Sequence, residues 1–189
     1  FSAEFEQLGG TTSGTAGFES SATTSFSDVI TRLLVSKPDA LVLVASTLDT
    51  SRLAQQARRL APGLPLSSSE WAASAEALSE MGGSAVEGML ITHAYNRNDS
   101  GAAYQSFRSA FKNRFQREFG SFSLLAYDTA NIIFSAMKQR SNGEGMKAAL
   151  LKYGPYQGVQ QEISFDASGD ATRKVYFTEI RSGNLVQYK

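Results

Sequence analysis

The feature that most constrains this chain is the run Ala40-Leu41-Val42-Leu43-Val44-Ala45, set between Asp39 and the hydroxyl pair Ser46-Thr47. It is too short for a stable helix and has no polar alternation. That is the pattern of a strand buried on both faces, as in the interior of a parallel sheet. A parallel strand needs a crossover of a dozen or more residues to reach its neighbour, and a helix usually supplies it. The flanking sequence provides such helices. Ser25–Ser36 has helical periodicity, with Ser25 as N-cap and Asp28 in the third position of a capping box, and Pro38 punctuates it. A further helix follows the run, capped by Asp49 or Thr50 and ended by Pro62-Gly63. Leu64–Ser67 is then a short strand, Glu70–Met81 a helix closed by Gly82-Gly83, and Ala85–His93 a second buried strand. Strand, helix, strand, helix, strand specifies an α/β fold: a three-layer sandwich around a mostly parallel sheet.

The outer segments are less regular. Phe1–Leu8 has helical spacing and is stopped by Gly9-Gly10, and Gly14–Ser20 is a weak strand. Tyr104, Phe107, Phe111, Phe115 and Phe119 fall at steps of three or four and form one aromatic face, which predicts a helix packed on a sheet. A long helix after Gly120 and a short one from Met146 to Tyr153 follow. The tail from Gln161 predicts three strands, joined by turns at Ser168-Gly169-Asp170 and Ser182-Gly183-Asn184.

Charge and composition exclude several functions. Lys plus Arg and Asp plus Glu are both 18, so the aromatic face lacks the basic field that nucleic-acid binding requires. No apolar run approaches the roughly 20 residues of a membrane span. With no cysteine there is no disulfide, thiol chemistry or Cys-ligated metal. The one histidine, His93, lies at the end of a predicted strand without a nucleophile elbow, which points to a structural or rim role. Asp166–Asp170 lacks the later ligands of a calcium loop and fits a hairpin turn. Neither a dinucleotide fingerprint nor a phosphate loop occurs, and no cofactor is implied. The start at Phe1, without Met, is expected of a mature or truncated product.

What remains is a set of strand ends. In open α/β sheets ligands bind beyond the carboxyl ends of the strands. Three such ends are visible: Ala45-Ser46-Thr47, Ser67–Glu70 and His93–Tyr95. Hydroxyls, one acid and one aromatic suit a small polar molecule carrying an ammonium group. The same Ser and Thr residues also serve as helix caps, so both roles stand open for them.

The order of motifs resembles a known family. Ser25–Ser46, then Leu53–Arg58, a strand ending in Ser69-Glu70, and Gly82–Thr92 are similar to the second lobe of type I periplasmic binding proteins. Among these, the leucine/isoleucine/valine-type amino-acid receptors of ABC transporters are the nearest group. Ala110–Gly120, Ala126-Tyr127-Asp128 and Gly158–Tyr188 match the remaining motifs in order. The resemblance implies the C-terminal half of a two-lobed protein that closes on its ligand. It places residues 1–120 in the second lobe without its first strand, 121–160 in helices packing with a first lobe, and 161–189 in strands near the hinge. It implies that Glu70 takes the ligand's α-ammonium, with Ser69 beside it. Ser46 and Thr47 would line the cleft, and Phe122 would be a cleft aromatic. It further implies an amino acid or related amine as ligand, a membrane permease as partner, and a periplasmic or extracellular location. The same fold also serves as a sensor domain of receptors and regulators, and an α/β enzyme is the remaining alternative.

Overall fold

In the computed structural model, which describes residues 1–72 and 75–188, the apolar run becomes β1 (Leu41–Leu43). It pairs in parallel with β2 (Leu66–Ser68), and β2 pairs in parallel with β3 (Leu90–His93). The sheet is completed by an antiparallel hairpin, β7 (Tyr176–Arg181) and β8 (Asn184–Gln187), in the order β1-β2-β3-β7-β8. The hairpin turns through Ser182 and Gly183, whose φ angles of 51° and 73° fit a two-residue I′ turn. Glu87 holds this turn, its carboxylate accepting the Ser182 and Gly183 N–H groups at 2.6 and 3.4 Å.

Four helices belong with this sheet: α1 (Ser2–Gln7), α2 (Phe26–Leu34), α3 (Thr47–Leu60) and α4 (Ala75–Gly82). Val29 and Ile30 of α2, Leu53, Ala54 and Ala57 of α3 and Leu78 of α4 form one core with Leu41, Leu43, Leu66, Ile91 and Ile180. Each fully buried Leu or Ile there stabilises the fold by about 1.5–3 kcal/mol. Arg58 ties the far end of α3 to the loops around it, donating to the carbonyls of Leu64, Ala85 and Glu87.

Several sequence-based expectations shift. β1 alternates: Leu41 and Leu43 are buried, whereas Val42 and Val44 are 45% and 69% exposed. The run was expected to be covered on both faces, but β1 is the edge strand and its core contacts lie on one side. The helix over 70–81 starts with a 3-10 turn (Glu70–Ala72) before α4, and residues 73 and 74 lie outside those described. Ala85 and Val86 form a second 3-10 turn (Gly83–Val86) rather than strand, because Gly83 and Gly88 at φ 53° and 73° interrupt the extended backbone. Gly14–Ser20 makes no strand, although Ala16 and Phe18 pack against the core.

The chain forms two units, one comprising Phe1–Thr92 and the chain from Phe177 onward, the other His93–Tyr176. The second contains α5 (Ala102–Phe115), α6 (Ser121–Gln139) and α7 (Met146–Lys152). It also has a small antiparallel sheet of β4 (Tyr156–Gln157), β5 (Glu162–Phe165) and β6 (Ala171–Thr172). The tail therefore divides into two hairpins in different sheets, not one run of three strands. The β5–β6 turn is an Asx turn, with Asp166 Oδ1 accepting the N–H groups of Ser168, Gly169 and Asp170 at 2.9 Å each. Ile132, Ala136, Ala149, Tyr156 and Ile163 make this unit's larger core.

The aromatic face of α5 packs on rings and on α6, not on a sheet. Phe107 lies 4.9 Å from Tyr127 and 5.0 Å from Phe119 between ring centroids. The cause is local: α5 ends in a left-handed residue, Gln116 at φ 55°, and Phe119 beyond it turns back into the cluster with Tyr95, Tyr104 and Leu124. Burial pushes the Tyr104 phenol up to about 12, with Tyr95 adding to the effect, and its O–H donates to Arg97 O at 3.2 Å.

Candidate functional site

The parallel register of β1 and β2 brings their carboxyl ends side by side, with Leu43 opposite Ser68. Ser69 N–H continues the ladder to Leu43 O at 3.3 Å, and Ser68 Oγ, buried, donates to the same carbonyl at 3.0 Å. Ser46 and Thr47 follow one strand and Ser69 and Glu70 the other, so four of the five predicted site residues share one edge of the sheet.

Each of these side chains has local work. Ser46 is the N-cap of α3, in place of Asp49 or Thr50: its Oγ accepts Asp49 N–H at 3.2 Å and donates to Asp49 Oδ2 at 2.9 Å. Asp49 is buried behind it. Thr47 Oγ1 donates to Ala72 O at 3.4 Å, linking the start of α3 to the 3-10 turn. Ser69 Oγ accepts Trp71 N–H at 3.3 Å, and Ser69 O accepts Ala72 N–H at 3.1 Å. Glu70 opens this turn and is half-buried.

These bonds set the polarity of the edge. A hydroxyl has one proton to donate and two lone pairs to accept with. Ser46 and Thr47 donate inward, to Asp49 and Ala72, which leaves lone pairs for anything outside. With the Glu70 carboxylate beside them the edge is acceptor-rich, and its complement is a donor-rich, positively charged group.

Other candidates separate. Phe122 belongs to the second unit, in the first turn of α6, and is 63% exposed. His93 is buried rather than at a rim, its ring edge-on to Tyr95 at 6.1 Å. Among the described residues no group of three or more His, Cys, Asp or Glu is placed to hold a metal, and no helix is long and apolar enough to cross a membrane. Trp71 is the residue the strand-end reasoning passed over. It is 71% exposed, directly after Glu70. The available signal was that the chain's one tryptophan stands in an otherwise small-residue stretch.

The family model described as Periplasmic binding protein matches residues 1–184. This chain belongs to the periplasmic binding protein family. Among solved structures, a leucine-binding protein, LivK, from Thermotoga maritima is 24% identical over 99% of this chain and 53% of its own, with a TM-score of 0.80. The branched-chain amino-acid transporter substrate-binding protein LivJ from Streptococcus pneumoniae, in complex with isoleucine, is 20% identical over 87% of this chain and 47% of its own, with a TM-score of 0.70. A solute-binding protein from R. palustris in complex with benzoate is 17% identical over 88% and 46%, with a TM-score of 0.64. The periplasmic binding protein chain spans about half the length of these structures. No curated protein matches it. The matched structures are of substrate-binding proteins of transporters, not of enzymes, and the mixed α/β architecture with its mostly parallel sheet is theirs.

Proposed function

We propose that this chain supplies one lobe of a solute-binding protein that delivers an amino acid or similar small amine to a membrane permease of the ABC type. Its place of action is the periplasm or the cell exterior. The observation that carries the reading is Glu70, half-buried at an acceptor-rich strand edge in a chain of this family. The preference for an amine rests on that carboxylate and not on the fold, since one protein of the same fold is in complex with benzoate.

A carboxylate meeting an ammonium in a cleft from which water is excluded makes a charge-assisted bond worth about 1.5–3 kcal/mol. A neutral or anionic ligand would leave Glu70 unpaired on burial, so the acid selects as well as binds. Ser46, Thr47 and Ser69 position the two strand ends through the bonds described, and their remaining lone pairs line the edge. Phe122 is retained as a ligand-contacting candidate on its exposed ring. Residues 1–120 then form the second lobe, with 121–160 and 161–189 serving the first lobe and the hinge, as the family resemblance implies. Where a ligand must touch two lobes, closure is driven only by its differential affinity for the closed state.

Calorimetry of the full-length protein against a panel of amino acids and amines tests this. Glu70→Gln is expected to weaken binding about tenfold or more while leaving the melting temperature of the free protein nearly unchanged. Equal affinity in both proteins would return Glu70 to a purely local role.

A further inference from the structure

Trp71 is the most exposed large aromatic ring next to the strand edge described above, and nothing so far accounts for it. Its backbone is fixed on both sides. Its own N–H is held by Ser69 Oγ at 3.3 Å, and the following Ala72, fully buried, accepts from Thr47 through its carbonyl. The indole, in contrast, joins no ring pair and lies over or under no cation among the described residues. Elsewhere in the chain such contacts are common: Arg52 lies over Phe26, Arg97 over Tyr95 and Lys152 over Tyr153. A rigid turn that holds an uncommitted indole beside a carboxylate joins the two groups that recognise an organic cation. The acid supplies charge and a hydrogen-bond acceptor, and the ring supplies an apolar face with a negative quadrupole, strongest for tryptophan.

We propose that Trp71 is a specificity-determining residue of the ligand site, its indole packing on the ammonium group that Glu70 takes and on the carbons next to it. This rests on the proposed function and narrows it to a class of ligand. A bare ammonium ion is small and strongly hydrated, whereas an alkylated ammonium presents methylene or methyl groups that a ring can cover. Amines whose nitrogen carries alkyl substituents therefore gain most from the indole. A primary α-ammonium gains less, and a carboxylate without an amine gains nothing.

The chain has one tryptophan, so its emission reports this side chain alone. The full-length protein is titrated with amino acids and their N-methylated forms, following heat and tryptophan emission together, and the titration is repeated with Trp71→Ala and Trp71→Phe. The expected result is an emission change that saturates with the heat. Affinity should fall about five- to thirtyfold in Trp71→Ala, most for the N-methylated ligands, with part of it restored in Trp71→Phe. Unchanged affinity in Trp71→Ala with a silent emission overturns the role of Trp71 while leaving Glu70 as the ammonium acceptor. Absence of heat with every amine overturns both. Since the indole is exposed, neither variant is expected to lose its melting transition, and a melt of each confirms that affinity and not folding is being compared.

Discussion

At the scale of single residues, Ser46 shows how a hydroxyl at a strand end can be committed to structure before any ligand arrives. It accepts from the α3 backbone and donates to the buried Asp49, closing the helix start in a capping box. Ser46→Ala should lower stability by about 1 kcal/mol in urea denaturation, whereas Ser46→Asp should retain most of the cap but repel the Asp49 carboxylate. An unchanged midpoint in Ser46→Ala would show that the cap contributes nothing. Sequence alone located this residue and left its two roles open. Choosing between Ser46, Asp49 and Thr50 as cap needed the backbone, because all three residue types cap equally well.

At the scale of elements, Asp128 couples α6 to the loop before β5. Its Oδ1 accepts Val159 N–H at 2.9 Å from a buried position in the helix. Burial raises its pKa, only partly offset by the Val159 N–H and the nearby Arg173. A carboxyl whose folded-state pKa is raised contributes most below its unfolded value and loses that contribution as pH rises through the folded one. Denaturation of wild-type protein should therefore show a component of stability that falls above the ordinary carboxylate range. Asp128→Asn, which keeps an acceptor for Val159 without the charge, should remove that pH dependence. Asp128→Ala should cost about 1–3 kcal/mol by leaving the N–H unpaired. A pH profile identical in wild type and Asp128→Asn would refute the account.

The elements also show where sequence reading stops. Helices α2, α3, α6 and α7 and the strand order of the parallel part were legible because each has a long period, a cap or a breaker of its own. The split of residues 70–82 and the 3-10 turn at Gly83–Val86 were not, because they depend on positive φ angles that glycine permits but does not require. The destination of the aromatic face was hidden for another reason. Periodicity says that Phe107 and Phe111 share a side, but which surface meets that side is decided by the left-handed turn at Gln116. At the site, Glu70 could be placed from the strand-end rule, while the exposure of Trp71 became visible only once the turn around it was built.

At the scale of the whole molecule there are two separate sets of core residues, one around Ile91 and Ile180 and one around Ile132 and Ile163. Ile91→Ala, at a fully buried position, should cost about 2–5 kcal/mol. Amide exchange should then accelerate across β1, β2, β3 and α3 while α6 and α7 keep their protection. Acceleration of equal size in both units would show that they open as one.

The discontinuity of the first unit has a mechanical consequence. The chain leaves it after Thr92 and returns at Phe177, so the second unit is a loop inserted between two hydrogen-bonded neighbours, β3 and β7. Tension applied between α2 and β8 is carried through the first unit's sheet, and the inserted residues bear none of it while that sheet holds. When it yields, 84 residues of slack, His93 to Tyr176, pass abruptly into the line of force. The second unit is thus mechanically shielded by the first.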